Sequence, residues 1–172
     1  MRELILGGVR SGKSRMAEQR ALASGLQVVY VATAQARDAE MQRRVADHQA
    51  RRPDNWLSLE AGQNLAEVLQ REAAAQRCLL VDCLTLWLTQ LLCDSDEQQL
   101  RRECAALLEV LPGLSGQVIL VSNETNMGIV PLGELSRRYC DEAGRLHQQV
   151  AAICERVILM VAGLPLVVKG TL

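Results

Sequence analysis

The chain has 172 residues, of which 49% are hydrophobic, so it is long enough to bury one sizeable core. Its formal net charge of −1 creates no overall field that would recruit nucleic acid or an anionic membrane. No apolar run reaches the roughly 18 to 20 residues of a membrane span, and the N-terminal MRELILGG is too short and too acidic for a signal peptide. We therefore expect one cytoplasmic domain that covers residues 1–172.

The six cysteines support the same location. They form no CxxC pair and no zinc-ligand spacing, and most of them lie in apolar runs, where a free cysteine acts as a small hydrophobic residue. We interpret them as reduced thiols. They are Cys78, Cys83, Cys93, Cys104, Cys140 and Cys154.

The first third of the chain alternates between strand and helix patterns. ELILG (Glu3 to Gly7) predicts a strand, and KSRMAEQRALASG predicts a helix that stops at Gly25. QVVYVAT (Gln27 to Thr33) predicts a second buried strand. DAEMQRRVADHQAR is helical, with Met41 and Val45 four residues apart.

The same alternation continues to the end. LAEVLQREAAAQR predicts a helix, CLLVD a strand, LTLWLTQLL a helix, and QVILVS a further strand, with another helix between DSDEQ and Pro112–Gly113. The spacing from Leu132 to Ile153 predicts a long helix, on which we expect His147, beside Leu146, at the surface or an interface. RVILMVAG, a Leu-Pro turn and LVVKG predict a terminal hairpin.

Strands that are continuously apolar and alternate with helices indicate a parallel sheet covered on both faces. The predicted fold class is therefore α/β with three layers, and the motif GGVRSGKS between its first strand and first helix makes it P-loop NTPase-like. Its sheet is mostly parallel, with one C-terminal antiparallel strand added by the hairpin.

GGVRSGKS matches the phosphate-binding pattern G-x-x-x-x-G-K-S, and it follows a predicted strand and opens a predicted helix. The glycines let backbone N–H groups turn inward around phosphate oxygens, and the helix N-terminus adds partial positive charge. Lys13 would reach the terminal phosphates and the Ser14 hydroxyl would hold Mg²⁺. The predicted nucleotide-binding residues here are Gly7, Gly8, Val9, Arg10, Ser11, Gly12, Lys13 and Ser14.

Asp82 ends the predicted strand CLLVD, at the sheet edge where open α/β sheets bind ligands. Its carboxylate could hold Mg²⁺ through water or accept hydrogen bonds from a base or ribose. The alternative is a helix N-cap, because a helix follows directly.

His48, one of only two histidines, lies in the most basic short stretch, RRVADHQARRP. It follows Val45 by three residues, so a buried histidine bonded to backbone is one interpretation. Arg44 precedes His48 by four residues, and Arg51 and Arg52 follow it by three and four, so all three could lie beside the imidazole and would lower its pKa. A neutral imidazole is a competent nucleophile at phosphorus. Both interpretations stay open on these residues alone.

Four stretches together resemble one family: LGGVRSGKSRMAE, YVATAQARDAEMQRRVADHQARRP, LLVDCLTLWLTQLL and VSNETNMGIVPLGELSRRYCDEAGRLHQ. The chain is similar to the bifunctional adenosylcobinamide kinase/adenosylcobinamide-phosphate guanylyltransferases of cobalamin biosynthesis. The resemblance implies phosphorylation of adenosylcobinamide by ATP or GTP, followed by transfer of GMP from GTP through a guanylylated histidine to give adenosylcobinamide-GDP. It implies Mg²⁺ with the nucleotide, no tightly bound organic cofactor, and a homotrimer.

The resemblance also assigns residues. The nucleophile aligns with His48, so Lys13 and His48 are the predicted catalytic residues. Some members have a second histidine where this chain has Asp47, and many have glutamate at Asp82. Further nucleotide contacts align with Ala32, Thr33, Ala34, Gln49, Ala50, Arg51, Arg52, Glu60 and Asp82. A carboxylate at Glu60 or Asp82 can accept from guanine N1–H and the 2-amino group, which adenine does not offer.

Two questions stay open at this point. NETNMGIVP either shapes the turn after a strand or forms the wall for the corrinoid or phosphoryl acceptor. The alternatives to the bifunctional enzyme are a P-loop small-molecule kinase without guanylyl transfer and a GTP-dependent regulatory protein. The chain lacks an N-K-x-D guanine motif, which argues against the regulatory protein.

Overall fold

The structure, a computed structural model, describes residues 1–33 and 53–172. One sheet in these ranges contains seven strands. They are β1 (Arg2–Gly7), β2 (Gln27–Ala32), β3 (Leu57–Glu60), β4 (Arg77–Asp82), β5 (Gln117–Asn123), β6 (Arg156–Val161) and β7 (Leu164–Lys169). The helices are α1 (Lys13–Ala23), α2 (Leu65–Glu72), α3 (Leu84–Asp94), α4 (Glu97–Val110) and α5 (Glu134–Ile153), and a 3₁₀ turn (Leu111–Gly113) follows α4. The predicted helix DAEMQRRVADHQAR falls outside the described residues.

The strand order is β3-β2-β4-β5-β1-β6-β7. Each neighbouring pair is parallel except β6 and β7, which are antiparallel. The N-terminal strand β1 therefore lies inside the sheet, between β5 and β6. This arrangement confirms the predicted fold class, including the antiparallel strand at the C-terminal edge.

The central strands are apolar along their whole length because helices cover both faces of the sheet. Successive side chains point to opposite faces. Leu4 packs with Trp87 of α3 and with residues of α2, α4 and α5, whereas Ile5 packs with Ala17 of α1. The molecule thus has three layers in its described part, with α1 on one face and α2 to α5 on the other.

Two local predictions were wrong or incomplete. The sequence pattern did not predict β3, which has only four residues and is largely exposed at the sheet edge. The hairpin turn is not Leu-Pro: Ala162 and Gly163 form it, with φ values of 50° and 83°. Two consecutive positive φ values match the twist of antiparallel strands. Pro165 instead belongs to β7, where an edge strand tolerates the missing N–H.

One buried ion-pair cluster joins β1, α1 and β6. Glu3 is fully buried, and its two carboxylate oxygens contact Arg20 Nε at 2.6 Å and an Arg156 guanidinium nitrogen at 3.0 Å. Burial raises the pKa of Glu3, while the ion pair with Arg20 acts in the opposite direction. The cluster fixes α1 and β6 to the strand that leads into the phosphate loop.

Candidate nucleotide-binding site

The carboxyl ends of the parallel strands gather the predicted site residues along one edge of the sheet. Ala32 at the end of β2 pairs with Glu60 of β3 on one side and with Asp82 of β4 on the other. Gly7 at the end of β1 pairs with Asn123 of β5. Ligands of open α/β sheets bind at this edge.

The predicted loop Gly7–Ser14 connects β1 directly to α1. Gly7 has no room for a side chain, because a Cβ atom there would lie 2.4 Å from Ser11 Oγ and 2.9 Å from the backbone oxygen of Met160. Gly12, which precedes the first residue of α1, has a φ of 94°, in the left-handed region that glycine adopts without strain. The loop is therefore tightly folded back on itself at the helix N-terminus.

Ser11 is the most enclosed polar residue of this loop. Its side chain is buried, and its Oγ has no hydrogen-bond partner among the described residues. A buried hydroxyl without a partner is costly unless a ligand supplies one. The Ser11 hydroxyl therefore fits a loop whose normal occupant is a group rich in acceptor oxygens, such as a phosphate.

Two contacts from distant segments brace the loop. The Gly163 N–H, in the β6–β7 turn, donates to the Ser11 carbonyl oxygen at 3.0 Å. The Glu124 N–H, just after β5, donates to the Gly7 carbonyl oxygen at 3.0 Å. The conformation of the phosphate loop thus depends on both strands that flank β1.

Lys13 begins α1, and its Nζ donates to the Gly8 carbonyl oxygen at 3.1 Å. Burial lowers the pKa of Lys13, while the neighbouring Cys83 and Asp82 act to raise it. The ammonium group therefore lies between the loop and the end of β4, where it can neutralise phosphate oxygens.

Asp82 is not a helix cap. Cys83 occupies the N-cap position of α3 and makes no capping bond with its side chain. The Asp82 carboxylate instead accepts a hydrogen bond from the Tyr30 hydroxyl at 3.1 Å. Burial and the charge of Asp82 raise the pKa of Cys83 to about 11. The carboxylate of Asp82 thus faces the same region as Lys13.

Thr33 ties the end of β2 to the end of β4. Its Oγ1 donates to the Cys83 carbonyl oxygen at 2.6 Å and accepts from the Cys83 N–H at 2.9 Å. Gln90 of α3, which is buried, donates to the Thr33 carbonyl oxygen at 2.6 Å. Of the predicted contacts here, Ala32 and Thr33 reach the site edge. Ala34, His48, Gln49, Ala50, Arg51 and Arg52 lie outside the described residues.

The donor set suits a hard cation at the loop. Ser14 lies in the first turn of α1, half-buried, and Asp82 ends a strand near Lys13. A hydroxyl and a carboxylate oxygen are ligands that Mg²⁺ prefers, usually together with substrate phosphates and water. These residues therefore fit a magnesium ion carried by a nucleotide.

The NETNMGIVP segment lies at the same edge and contains a large exposed apolar surface. Asn126 fastens it to α5, because its side-chain nitrogen donates to the Cys140 carbonyl oxygen at 3.0 Å. Ile129 and Leu132 are 97% and 98% exposed. The exposed apolar residues from here to the start of α5 are Met127, Ile129, Val130, Leu132 and Leu135, which we call the apolar loop.

The prediction for His147 was wrong. Its side chain is only 8% exposed, and Nε2 lies 2.7 Å from Ser122 Oγ. The periodicity of α5 contains the signal, because His147 follows the buried Ala143 by four residues and precedes the buried Val150 by three. Its polar partner on β5 is 25 residues away in sequence, so spacing along the helix did not reveal it.

Strand order and loop geometry define a protein of the P-loop NTPase-like fold class. The crystal structure of the RadB recombinase is similar in fold, with a TM-score of 0.54 at 18% identity over 92% of this chain and 73% of that one. The family model for cobinamide kinase / cobinamide phosphate guanyltransferase matches residues 3–168, and the chain belongs to that family.

Two curated relatives extend this match over nearly the full chain. The bifunctional adenosylcobalamin biosynthesis protein CobP of Pseudomonas aeruginosa is 64% identical over 170 residues, 99% of this chain and 98% of that protein. The bifunctional adenosylcobalamin biosynthesis protein CobU of Escherichia coli is 36% identical over 179 residues, covering 96% and 98% respectively. None of the described helices is both long and apolar enough to pass through a membrane.

Proposed function

We propose that this chain phosphorylates adenosylcobinamide with ATP or GTP at the loop Gly7–Ser14. It then transfers GMP from GTP, through His48, onto the new phosphate to give adenosylcobinamide-GDP. The observation that carries the proposal is the closed phosphate loop with its buried, unpartnered Ser11 hydroxyl, in a chain that matches the kinase/guanyltransferase family over residues 3–168. The enzyme works without a tightly bound organic cofactor.

In the kinase step, the chain's own groups bind and orient the triphosphate. Backbone N–H groups of the loop and the N-terminus of α1 face the phosphates, and Lys13 neutralises charge that develops on the transferred group. Ser14 and Asp82 would hold Mg²⁺, which supplies further charge neutralisation. The acceptor hydroxyl oxygen attacks the γ-phosphorus, and the bond between this phosphorus and the oxygen of the leaving nucleoside diphosphate breaks. The hydroxyl proton passes to solvent.

In the transfer step, one nitrogen of the neutral His48 imidazole attacks the α-phosphorus of GTP and pyrophosphate leaves. The bond that forms is a phosphoramidate P–N bond. A phosphate oxygen of adenosylcobinamide phosphate then attacks the same phosphorus, the P–N bond breaks, and the imidazole returns to its free form. Arg44, Arg51 and Arg52 accompany His48 in sequence, which supports a neutral imidazole and binding of the anionic phosphates.

The apolar loop supports a role in binding the acceptor. A cobinamide is large and carries apolar methyl groups, and contiguous exposed apolar side chains beside a site mark a ligand surface. The apolar loop begins three residues after Glu124, whose N–H donates to the Gly7 carbonyl oxygen, so an acceptor bound to it would lie on the side of the phosphate loop. The homotrimer that the family resemblance implies stays a prediction.

Guanylylation is tested by incubation with GTP labelled at the α-phosphate and Mg²⁺. We expect one GMP per active site, lost in acid and retained in alkali, as a phosphoramidate requires. His48→Ala and His48→Asn should both lose the label, because neither side chain offers a nucleophilic imidazole. Phosphorylation of adenosylcobinamide should persist in both variants at least in part, since that step needs no covalent intermediate, and it also shows that the variants are folded.

Acid-labile GMP on a folded His48→Ala variant would overturn the nucleophile assignment. A wild-type protein that phosphorylates adenosylcobinamide but takes up no label would instead indicate a small-molecule kinase without guanylyl transfer. Guanine nucleotide binding without turnover of adenosylcobinamide would favour the regulatory protein.

A further inference from the structure

A partly buried chain of hydrogen bonds leads from α5 to the end of β5, beside the phosphate loop. It begins at His147, whose Nε2 lies 2.7 Å from Ser122 Oγ. Ser122 Oγ lies 3.3 Å from Thr85 Oγ1, in the first turn of α3. Thr85 Oγ1 accepts a hydrogen bond from the Asn123 N–H at 2.7 Å. Two helices thus hold the last two residues of β5.

The strand end that this chain holds is the one that borders the phosphate loop. Asn123 pairs with Gly7 across the sheet, and the next residue, Glu124, donates its N–H to the Gly7 carbonyl oxygen at 3.0 Å. A shift of the end of β5 would therefore move the first residue of the loop. Displacements of about 1 Å at such a site can cost on the order of 100-fold in rate.

If packing were the only requirement at position 147, an apolar residue would suit this buried position better than histidine. Its neighbours on this face of α5, Ala143 and Val150, are apolar and buried. Burial lowers the pKa of His147, while the charge of Glu124 acts to raise it. Ser122 is buried as well, so its hydroxyl needs a partner inside the protein. The imidazole supplies that partner, and the next two hydrogen bonds, through Thr85 to the Asn123 N–H, reach the strand end beside the phosphate loop.

We propose that His147 is a positioning residue for phosphoryl transfer. Through Ser122 and Thr85 it fixes the backbone of Asn123 and Glu124 against Gly7, and thereby the shape of the phosphate loop. The chemistry is the kinase reaction proposed above, on which this assignment rests. His147 itself does not touch the nucleotide.

Four variants test this role. His147→Leu keeps most of the volume and removes the hydrogen bond, whereas His147→Gln keeps a side-chain amide that can donate to Ser122. Ser122→Ala removes the middle member of the chain. Val150→Ala is the matched control, because Val150 is fully buried three residues further along α5 and makes no polar contact with β5.

We expect His147→Leu to lower kcat for phosphorylation of adenosylcobinamide on the order of 10- to 100-fold, with a change in nucleotide KM below about threefold. His147→Gln should regain most of the lost kcat. The double variant Ser122→Ala/His147→Leu should be no slower than the slower single variant, because both act through one chain. Val150→Ala should lower the unfolding midpoint and keep kcat, measured where it is folded.

Hydrogen–deuterium exchange gives a readout that needs no turnover. In His147→Leu, amides of the peptide 121–126 should exchange roughly tenfold faster, and those of the loop 7–14 should follow, while Val150→Ala leaves both unchanged. Unchanged protection of 121–126 in His147→Leu overturns the proposal. The proposal also fails if kcat falls in proportion to the loss of stability, measured as the unfolding midpoint, to the same degree in His147→Leu and Val150→Ala. If the wild-type protein phosphorylates nothing, the proposed function fails, and the exchange measurement still decides the role of His147.

Discussion

Glu60 and Asp82 stand opposite the same residue, Ala32, one on each side of β2. Strand spacing separates their backbones by about 10 Å, the width of a nucleoside rather than of one phosphate. The charge of Asp82 acts to raise the pKa of Lys13, and Asp82 lies on β4, two strands from β1. Glu60 is exposed and lies on β3, four strands from β1. We expect Asp82 to serve the phosphate end of the nucleotide and Glu60 the base.

This difference separates the effects of two substitutions. Glu60→Gln should reduce the preference for GTP over ATP by roughly 1 to 3 kcal/mol, since an amide no longer accepts both guanine hydrogen bonds. Asp82→Asn should lower kcat with both nucleotides and leave the preference intact. The measurement is kcat/KM for each nucleotide, with the exposed Glu67→Gln on α2 as control. An equal preference for GTP over ATP in the wild-type protein and in Glu60→Gln would show that a group other than Glu60 recognises guanine.

Lys13→Ala should remove both the kinase and the guanylyltransferase activity. The ammonium group neutralises phosphates in a partly buried site, where its loss is expected to cost about 3 to 4 kcal/mol, or a factor on the order of 100 to 1000 in rate. Both activities are followed by mass analysis of the corrinoid products. The chain offers one other lysine, Lys169, which donates to carbonyl oxygens at the end of α5, and Lys169→Ala should keep both activities. Near-normal turnover in Lys13→Ala would mean that the triphosphate binds elsewhere.

Gly7→Ala should lose nucleotide binding. Its Cβ would lie within 3 Å of Ser11 Oγ and of the Met160 backbone, and the backbone can yield only by opening the loop. Overpacking of this kind costs about 1 to 3 kcal/mol. Gly113→Ala has open space around its Cβ and serves as the control. Titration calorimetry with a non-hydrolysable GTP analogue gives the two dissociation constants, and equal values would show that the loop adapts.

Glu3→Gln should destabilise the protein by about 3 to 5 kcal/mol, because it leaves the largely buried Arg156 and Arg20 without a counter-charge. Glu97 also contacts two arginines, Arg101 and Arg138, but at the surface. Glu97→Gln should therefore cost less than about 1 kcal/mol. Urea unfolding compares the two, and a cost for Glu3→Gln as small as that for Glu97→Gln would argue against the buried cluster as a stabilising feature.

Ile129→Asp and Leu132→Asp should raise KM for adenosylcobinamide about tenfold or more and leave nucleotide KM unchanged, because a charge opposes an apolar ligand at each position. Leu22→Asp is the control: Leu22 is also exposed, but near the C-terminal end of α1, away from the loop. Size-exclusion chromatography accompanies the kinetics. A change of oligomeric state without a change in KM would assign the apolar loop to contacts between copies instead.

The phosphate loop was predictable because three of its positions have local requirements: close packing at Gly7, a left-handed conformation at Gly12 and a cation at Lys13. Asp82 was predicted from its position at the end of a strand, whereas Glu60 was found through family resemblance alone. Only the sheet register shows that both stand opposite Ala32. His147 illustrates what a local pattern omits. The spacing along α5 places it with the buried Ala143 and Val150, but its polar partner, Ser122, lies on β5 and is revealed only by the folded structure.

The placement of β1 has a consequence for folding. Gly7 pairs with Asn123 and Met160, and the Ser11 carbonyl oxygen accepts the N–H of Gly163, so the phosphate loop depends on partners that are distant in sequence. Sheets built from such distant partners form slowly, because long loops must close first. The loop therefore takes its final shape only when β5, β6 and the β6–β7 turn are in place. A ligand that binds the loop only in that shape stabilises the whole sheet.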